Sequence, residues 1–292
     1  MMDAAHIPIA EALGITPGVT LRTFGMRRSG NHAIINWLAR NSVDGSVFLN
    51  NCAAGQPASD SARAIEVNGE WRGKRNVRHM SELTHDAGDA PMLIVSYEDI
   101  APDIDDLRAG LTADLPDGFI HRDLLLYRNF MNWAASLLRK IQQNDDQDAL
   151  ACLRIMMVSL DKYRDLLELI AQTEEDTDVL AINYDRWCAR PKYRERVLAA
   201  LGLPCRDNGL GKVQPYGGGS SFQKGTEEAA ELKVSQRWRD MINDPTFQIV
   251  LLAASQDDDL IRLMHRLMPQ DSELLSAYLN QAQFPYQVEV TE

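Results

Sequence analysis

The stretch "TLRTFGMRRSGNHAIINWLAR", residues 20–40, constrains the fold more than any other part of the chain. Its first six residues alternate branched and polar side chains and end in glycine, and its last ten carry Ala33, Ile34, Trp37 and Leu38 at helical spacing. This is a strand, a glycine turn and a helix. Such a turn aims backbone N–H groups and the positive end of the helix dipole at one point, where a phosphate can sit. Gly25 and Gly30 match the front of the ATP-binding consensus G-x-x-x-x-G-K-[ST], yet Asn31 and His32 stand where Lys and Ser/Thr belong. In an ATPase that lysine reaches the β- and γ-phosphates and the hydroxyl ligates magnesium. Asn31 donates without charge and His32 is a poor magnesium ligand, so a metal-dependent ATPase is disfavoured. The positive charge stands upstream instead, at Arg27 and Arg28 inside the loop.

Further strands are expected at "SVFLNN" (46–51), "PMLIVSY" (91–97), "HRDLLLYR" (121–128) and "DVLAINYD" (178–185), several of them near-continuous apolar runs of the kind that buried parallel strands show. Helices are expected at "NFMNWAASLLRKIQQ", "ALACLRIMMVSLDKYRDLLELIAQT" and "KYRERVLAALG", the last closed by Gly202 and Pro204. The alternation predicts a three-layer α/β domain spanning residues 1–292, with helices flanking a parallel sheet. Residues 51–90 are expected to form long irregular loops. A Gly-rich loop follows at 206–226, and three helical stretches run on to about residue 282. The triple glycine Gly217-Gly218-Gly219 is either a flexible connector or a loop that covers a ligand.

Composition narrows the partners. Lys and Arg total 30 against 42 Asp and Glu, a net charge of −12, so the broad basic footprint of a nucleic-acid binder is missing and any anion site must be local. The four cysteines, Cys52, Cys152, Cys188 and Cys205, are scattered without C-x-x-C pairs or histidines at metal-ligand spacing. No disulfide framework and no metal site are expected, and a reducing cytoplasm fits. The N-terminal residues lack the pattern of a secretory signal, and no run of 18 apolar residues occurs, so no membrane span is expected.

The loop "RRSGNHA" resembles the 5′-phosphosulfate loop of the sulfotransferase superfamily, written K-S-G-T-T or K-G-G-T-R after a strand. Arg28 takes the position of the family's Lys, Ser29 and Gly30 match, and Asn31 and His32 replace two polar residues that donate to the phosphate. A second element, "LLLYRNFMNWAASLLR", resembles the family's 3′-phosphate element, a strand-end Arg128 followed by Ser136 eight residues later. An arginine fork takes a phosphate bidentately while a hydroxyl closes the other side. A third, "SSFQKGT", resembles the R-K-G loop through Lys224 and Gly225, with Gln223 in place of the Arg, and "SQRWRDMINDPTF" resembles the Trp-containing segment after it. A fourth, "INYDRWCARPKYRERVLAALGLP", resembles the strand end that carries Y-E-D, where Tyr184 either lies near the adenine or caps the sheet. Four elements in the family's order, spread over residues 21–247, form a far more specific signal than any one of them alone.

The resemblance implies a P-loop NTPase-like sulfotransferase fold and transfer of a sulfuryl group from 3′-phosphoadenosine 5′-phosphosulfate (PAPS) to an acceptor hydroxyl or amine, with no metal. Candidate donor-binding residues are Arg27, Arg28, Ser29, Gly30, Asn31, His32, Arg128, Ser136, Tyr184, Gln223, Lys224 and Gly225. Charge builds on the bridging oxygen as the donor leaves, so a cation aimed there carries most of the catalysis; Arg28 is the first candidate and a protonated His32 the second. In the cytosolic branch of the family the base is a His on a strand where this chain has Tyr97; Glu98 follows it directly and is the candidate base, with Tyr97, His79 and His85 as rivals. The run Arg63, Arg72, Lys74, Arg75 and Arg78 is either a solvated face or a surface for an anionic acceptor such as an acidic glycan or lipid. Two other readings stay open: a kinase-type phosphotransferase in which Arg27 and Arg28 replace the lysine, and a non-catalytic nucleotide-binding protein.

Overall fold

The computed structural model describes residues 7–74, 79–100, 102, 110–144, 148–213 and 219–281. Its centre is a seven-stranded sheet built from β1 (Val19–Gly25), β2 (Ser46–Asn50), β3 (Ala64–Val67), β4 (Glu70–Lys74), β5 (Met92–Glu98), β6 (Arg122–Tyr127) and β7 (Val179–Asn183). Their spatial order is β4-β3-β2-β5-β1-β6-β7. The five strands from β2 to β7 in that order are parallel. The apolar runs that mark them are buried on both faces, as helix-covered parallel strands must be.

Side-chain alternation sorts the strands' residues into two cores. Phe24, Val47, Leu49, Leu93, Val95, Tyr97 and Leu125 face a core shared with Trp133, Leu137, Tyr163, Leu166 and the C-terminal helices. Leu21, Phe48, Ile94, Leu124, Leu126 and Ile182 face a second core with Ile34, Trp37, Leu38, Trp187 and Leu198. Helix Asn31–Arg40 and the pair Tyr184–Ala189 and Pro191–Ala200 therefore cover one face, and helices Phe130–Gln142 and Ala149–Gln172 cover the other. Beyond the Gly-rich loop, a short helix Arg237–Met241 precedes the three longer ones, Pro245–Ser255, Asp258–Leu267 and Pro269–Gln281. The Asp148, Asp244 and Asp257 carboxylates cap helix N-termini by accepting from Ala151, Phe247 and Leu260 N–H groups.

One expectation is corrected. Residues 51–90 are not all irregular: β3 and β4 form a hairpin that extends the sheet antiparallel to β2, and two single-turn helices, Ala58–Ser61 and Met80–Leu83, flank it. The hairpin turns on Asn68-Gly69, whose φ values of +53° and +85° match the two left-handed central residues that twist a two-residue turn in the sense of its strands. Arg-, Gly- and Asp-rich flanks hide strands this short, which owe their place to the edge of a sheet already formed.

Parallel register brings Gly25 beside Glu98 and Leu126, so the C-terminal ends of β1, β5 and β6 line up. The chain leaves β1 toward one face and β6 toward the other, which opens a crevice between them at the place where open α/β sheets bind ligands.

Candidate active site

The loop after β1 is shaped by its own backbone. Ser29 N–H donates to Met26 O at 3.1 Å, and Arg28 and Gly30 are left-handed, with φ of +70° and +85°. Glycine is required at the second position: a Cβ on Gly30 would fall 2.1 Å from Tyr184 Cδ2, because the tyrosine ring lies flat against the loop. Gly30→Ala should cost about 1–3 kcal/mol from backbone strain alone, read by urea unfolding, and should displace the Tyr184 ring. The N–H groups of Gly30 and Asn31 have no acceptor among the described residues, which leaves two donors at the start of a ten-residue helix.

Asn31 does not point its amide outward. Its Nδ2 donates to Gly25 O, Met26 O and Glu98 Oε1 at 3.4, 3.3 and 3.4 Å, closing the loop onto the end of β5. The Asn31 side chain thus orients the loop and Glu98 together, a task a lysine at this position would not perform.

Charge gathers around Ser136, which is fully buried on helix Phe130–Gln142. Its Oγ accepts from Arg28 Nε at 3.4 Å and from Arg237 Nη1 at 2.9 Å. Arg28 Nη2 also donates to Ser221 Oγ at 3.0 Å and Gly219 O at 3.2 Å. Arg128 lies behind them, donating to Arg28 O at 3.3 Å and sitting 5.2 Å from the Tyr184 ring centroid. Its Nε is buried without a hydrogen-bond acceptor, with Asp185 Oδ2 at 3.8 Å, beyond bonding distance. Burial and then neighbouring Arg128 push the Arg28 guanidinium below its usual pKa; burial, Arg128 and Arg28 push Arg237 down further. Among the described residues Asp185 lies near Arg128 and Arg237 and Glu98 near Arg28, so three largely desolvated cations face two carboxylates, and Asp185 is itself raised by burial. Such a cluster is poorly compensated until an anion enters. The Ser29 hydroxyl, also buried, has no hydrogen-bond partner among the described residues either.

These groups line one side of a cavity of about 350 Å³ whose other walls are His32, Asn50, Asn51, Arg63, Glu98, Lys140, Lys212, Val213 and Ser220. Arg27, Arg28, Gly30, Asn31, Arg128, Tyr184 and Arg237 complete the ring. Among the described residues seven cationic side chains thus meet one carboxylate, Glu98, in a chain of net charge −12. Arg27 is committed in part, by an ion pair with Asp99.

No family model matches the chain, and no curated protein matches it by sequence. The structure is similar to a crystal structure of mouse sulfotransferase SULT7A1 complexed with PAP, with a TM-score of 0.51 over 94% of this chain and 94% of that one, at 12% identity.

The chain has the sulfotransferase fold.

On this sulfotransferase fold, the residues named from sequence fall into two groups. Arg27, Arg28, Gly30, Asn31, His32, Glu98, Arg128 and Tyr184 share the cavity, and Ser136 lies beneath it. Gln223, Lys224 and Gly225 do not line it. Gln223 ties its own loop together, donating to Glu231 O and accepting from Lys233 N–H, while Lys224 and Gly225 are exposed. Arg237, which sequence reasoning passed over beside Trp238, occupies the cavity instead.

Among the rivals for the base, Tyr97 belongs to the core: it stacks on Phe24 at 5.3 Å, bonds Thr112 Oγ1 at 2.7 Å, and is pushed to a higher pKa chiefly by burial. His79 is exposed beside Glu82, and His85 bonds Glu82 O; neither reaches the cavity. His32 does, bonded to Asn50 Oδ1 at 3.0 Å between the Phe48 and Trp71 rings. Of the basic run, Arg63 lines the cavity and Arg72 pairs with Asp86, while Arg75 and Arg78, like Gly217 and Gly218, lie outside the described residues. Among the described residues no cluster of three or more His, Cys, Asp or Glu is placed to hold a metal, and no helix is long and apolar enough to cross a membrane.

Proposed function

We propose that this protein is a PAPS-dependent sulfotransferase. The observation that carries the reading is the convergence of Arg28 and Arg237 on Ser136, with Arg128 behind, beside a glycine loop whose Gly30 and Asn31 N–H groups have no acceptor among the described residues. A nucleotide with phosphates at both the 3′ and 5′ positions needs two anion sites within one cavity, and those two features supply them. Tyr184, flat against Gly30 and next to Arg128, offers a face for the ribose or adenine. The PAP complex of the similar mouse enzyme supports the same ligand class.

The donor supplies an activated sulfuryl group. Glu98 takes the acceptor's proton as the new O–S bond forms, and Asn31 holds its carboxylate toward the loop. The S–O bond to the 5′-phosphate breaks, and the electron pair stays on that phosphate. Arg28 stabilises it as a fixed cation, which a guanidinium does without giving up a proton. All four cysteines are unpaired, in keeping with a reducing cytoplasm.

Calorimetry separates this from a kinase-type reading. 3′-Phosphoadenosine 5′-phosphate (PAP) should bind tightly with or without magnesium, and ATP weakly in both conditions. Magnesium-dependent ATP binding with no response to PAP would replace the sulfotransferase reading with the phosphotransferase one.

A further inference from the structure

The cavity has two ends of different character. At one, Arg28, Arg128 and Arg237 surround Ser136 and account for the donor's phosphates under the reading above. The other lies over the ends of β2 and β5, where Asn50, Asn51 and Glu98 meet the start of β3. The backbone fixes that corner tightly. Arg63 N–H donates to Asn50 O at 2.9 Å, Asn51 takes a left-handed φ of +50° with its N–H on Ser96 Oγ at 2.9 Å, and Asn51 Nδ2 reaches Glu98 Oε2 at 3.5 Å.

Arg63 stands out in this corner. Its side chain is exposed, lines the cavity, and forms no ion pair with any described residue, although the chain as a whole carries twelve more acidic than basic groups. Several surface arginines are matched, Arg72 with Asp86, Arg122 with Asp178, Arg262 with Glu168 and Arg266 with Glu174; others, such as Arg154 and Arg190, also form no ion pair with a described residue but lie outside the cavity that Arg63 lines. A guanidinium that forms no ion pair among the described residues, in the wall away from the donor's phosphates, has no task toward a neutral alcohol.

We infer that the acceptor is itself an anion, whose carboxylate or sulfate group is received by Arg63 while its hydroxyl faces Glu98. The inference rests on the sulfotransferase reading for the identity of the two ends. Arg63 forks onto such a group bidentately, and the Asn50 and Asn51 amides border it. Glu98, the carboxylate lining the cavity, would repel an anion placed without that cation. The arginine thus serves specificity by cancelling a repulsion as well as by attraction.

The test uses the full chain saturated with PAP and two matched probe sets: para-ethylphenol, tyramine and para-hydroxyphenylpropionate; and methyl glucoside with methyl glucuronide. The anionic member of at least one set should bind about tenfold or more tightly than its neutral partner. Arg63→Gln should erase that preference while leaving PAP affinity unchanged within about twofold. Equal binding of neutral and anionic members, binding of no anionic member, or a preference that survives Arg63→Gln overturns the inference. PAP titration of the unmodified chain is read first, so failure of the donor reading shows as absent PAP binding, independently of the probe results.

Discussion

Arg237→Met should lower affinity for PAP by about 10- to 150-fold, the worth of one charge-assisted hydrogen bond to a phosphate, without loosening the fold. Two effects of one side chain diverge here. Toward an anion, Arg237 is a donor already aimed at Ser136 and held over the Phe222 ring 5.5 Å away. Toward the folded chain alone, it is a buried cation facing two others, pushed below its usual pKa by burial first and then by Arg128. Methionine keeps most of the volume and removes the desolvation cost and the repulsion together. The urea midpoint of the nucleotide-free variant is therefore expected to stay level or rise. An unfolding free energy that falls by more than about 1 kcal/mol, with PAP binding intact, would make Arg237 part of the scaffold and remove it from the donor site.

Glu98→Gln separates chemistry from binding. The amide preserves the shape of the carboxylate and keeps an oxygen for Asn31 Nδ2, now 3.4 Å from Oε1, but it cannot take a proton. Turnover should fall by about 10²- to 10⁴-fold, the usual contribution of a positioned base, while PAP affinity changes by less than about twofold. Full activity in the variant would pass the role to His32, the other titratable cavity group on the acceptor side.

The sheet was legible because its strands are buried on both faces and so carry unbroken apolar runs. The glycine loop was legible because a tight strand-to-helix turn with left-handed residues restricts residue types locally. What escaped depends on contacts across long separations. Arg237 and Ser136 are 101 positions apart, and no spacing rule joins them. Lys224 drew attention through a two-residue match that the fold leaves at the surface. The edge hairpin did have a local signal, the Asn68-Gly69 pair between Val67 and Glu70, but its strands are too short and polar to declare themselves. Tyr97 could also have been sorted from Glu98 by alternation: with Leu93 and Val95 facing the core, Tyr97 must follow them, and the next residue turns toward the loop.

The sheet order has a consequence for how the chain is made. β1 is nearly the first strand to leave the ribosome, yet its two partners are β5 and β6, which end at residues 98 and 127. At about 5–20 residues per second, β1 waits roughly 4–15 s for β5 and longer for β6, with both backbone edges bare. The glycine loop after β1 cannot close in that time either, since Asn31 and Arg27 are anchored by Glu98 and Asp99 at the end of β5. Synthesis of this protein therefore passes through a long interval in which a future interior strand is open to wrong neighbours, and chaperones that shield nascent strands should associate with its first hundred residues.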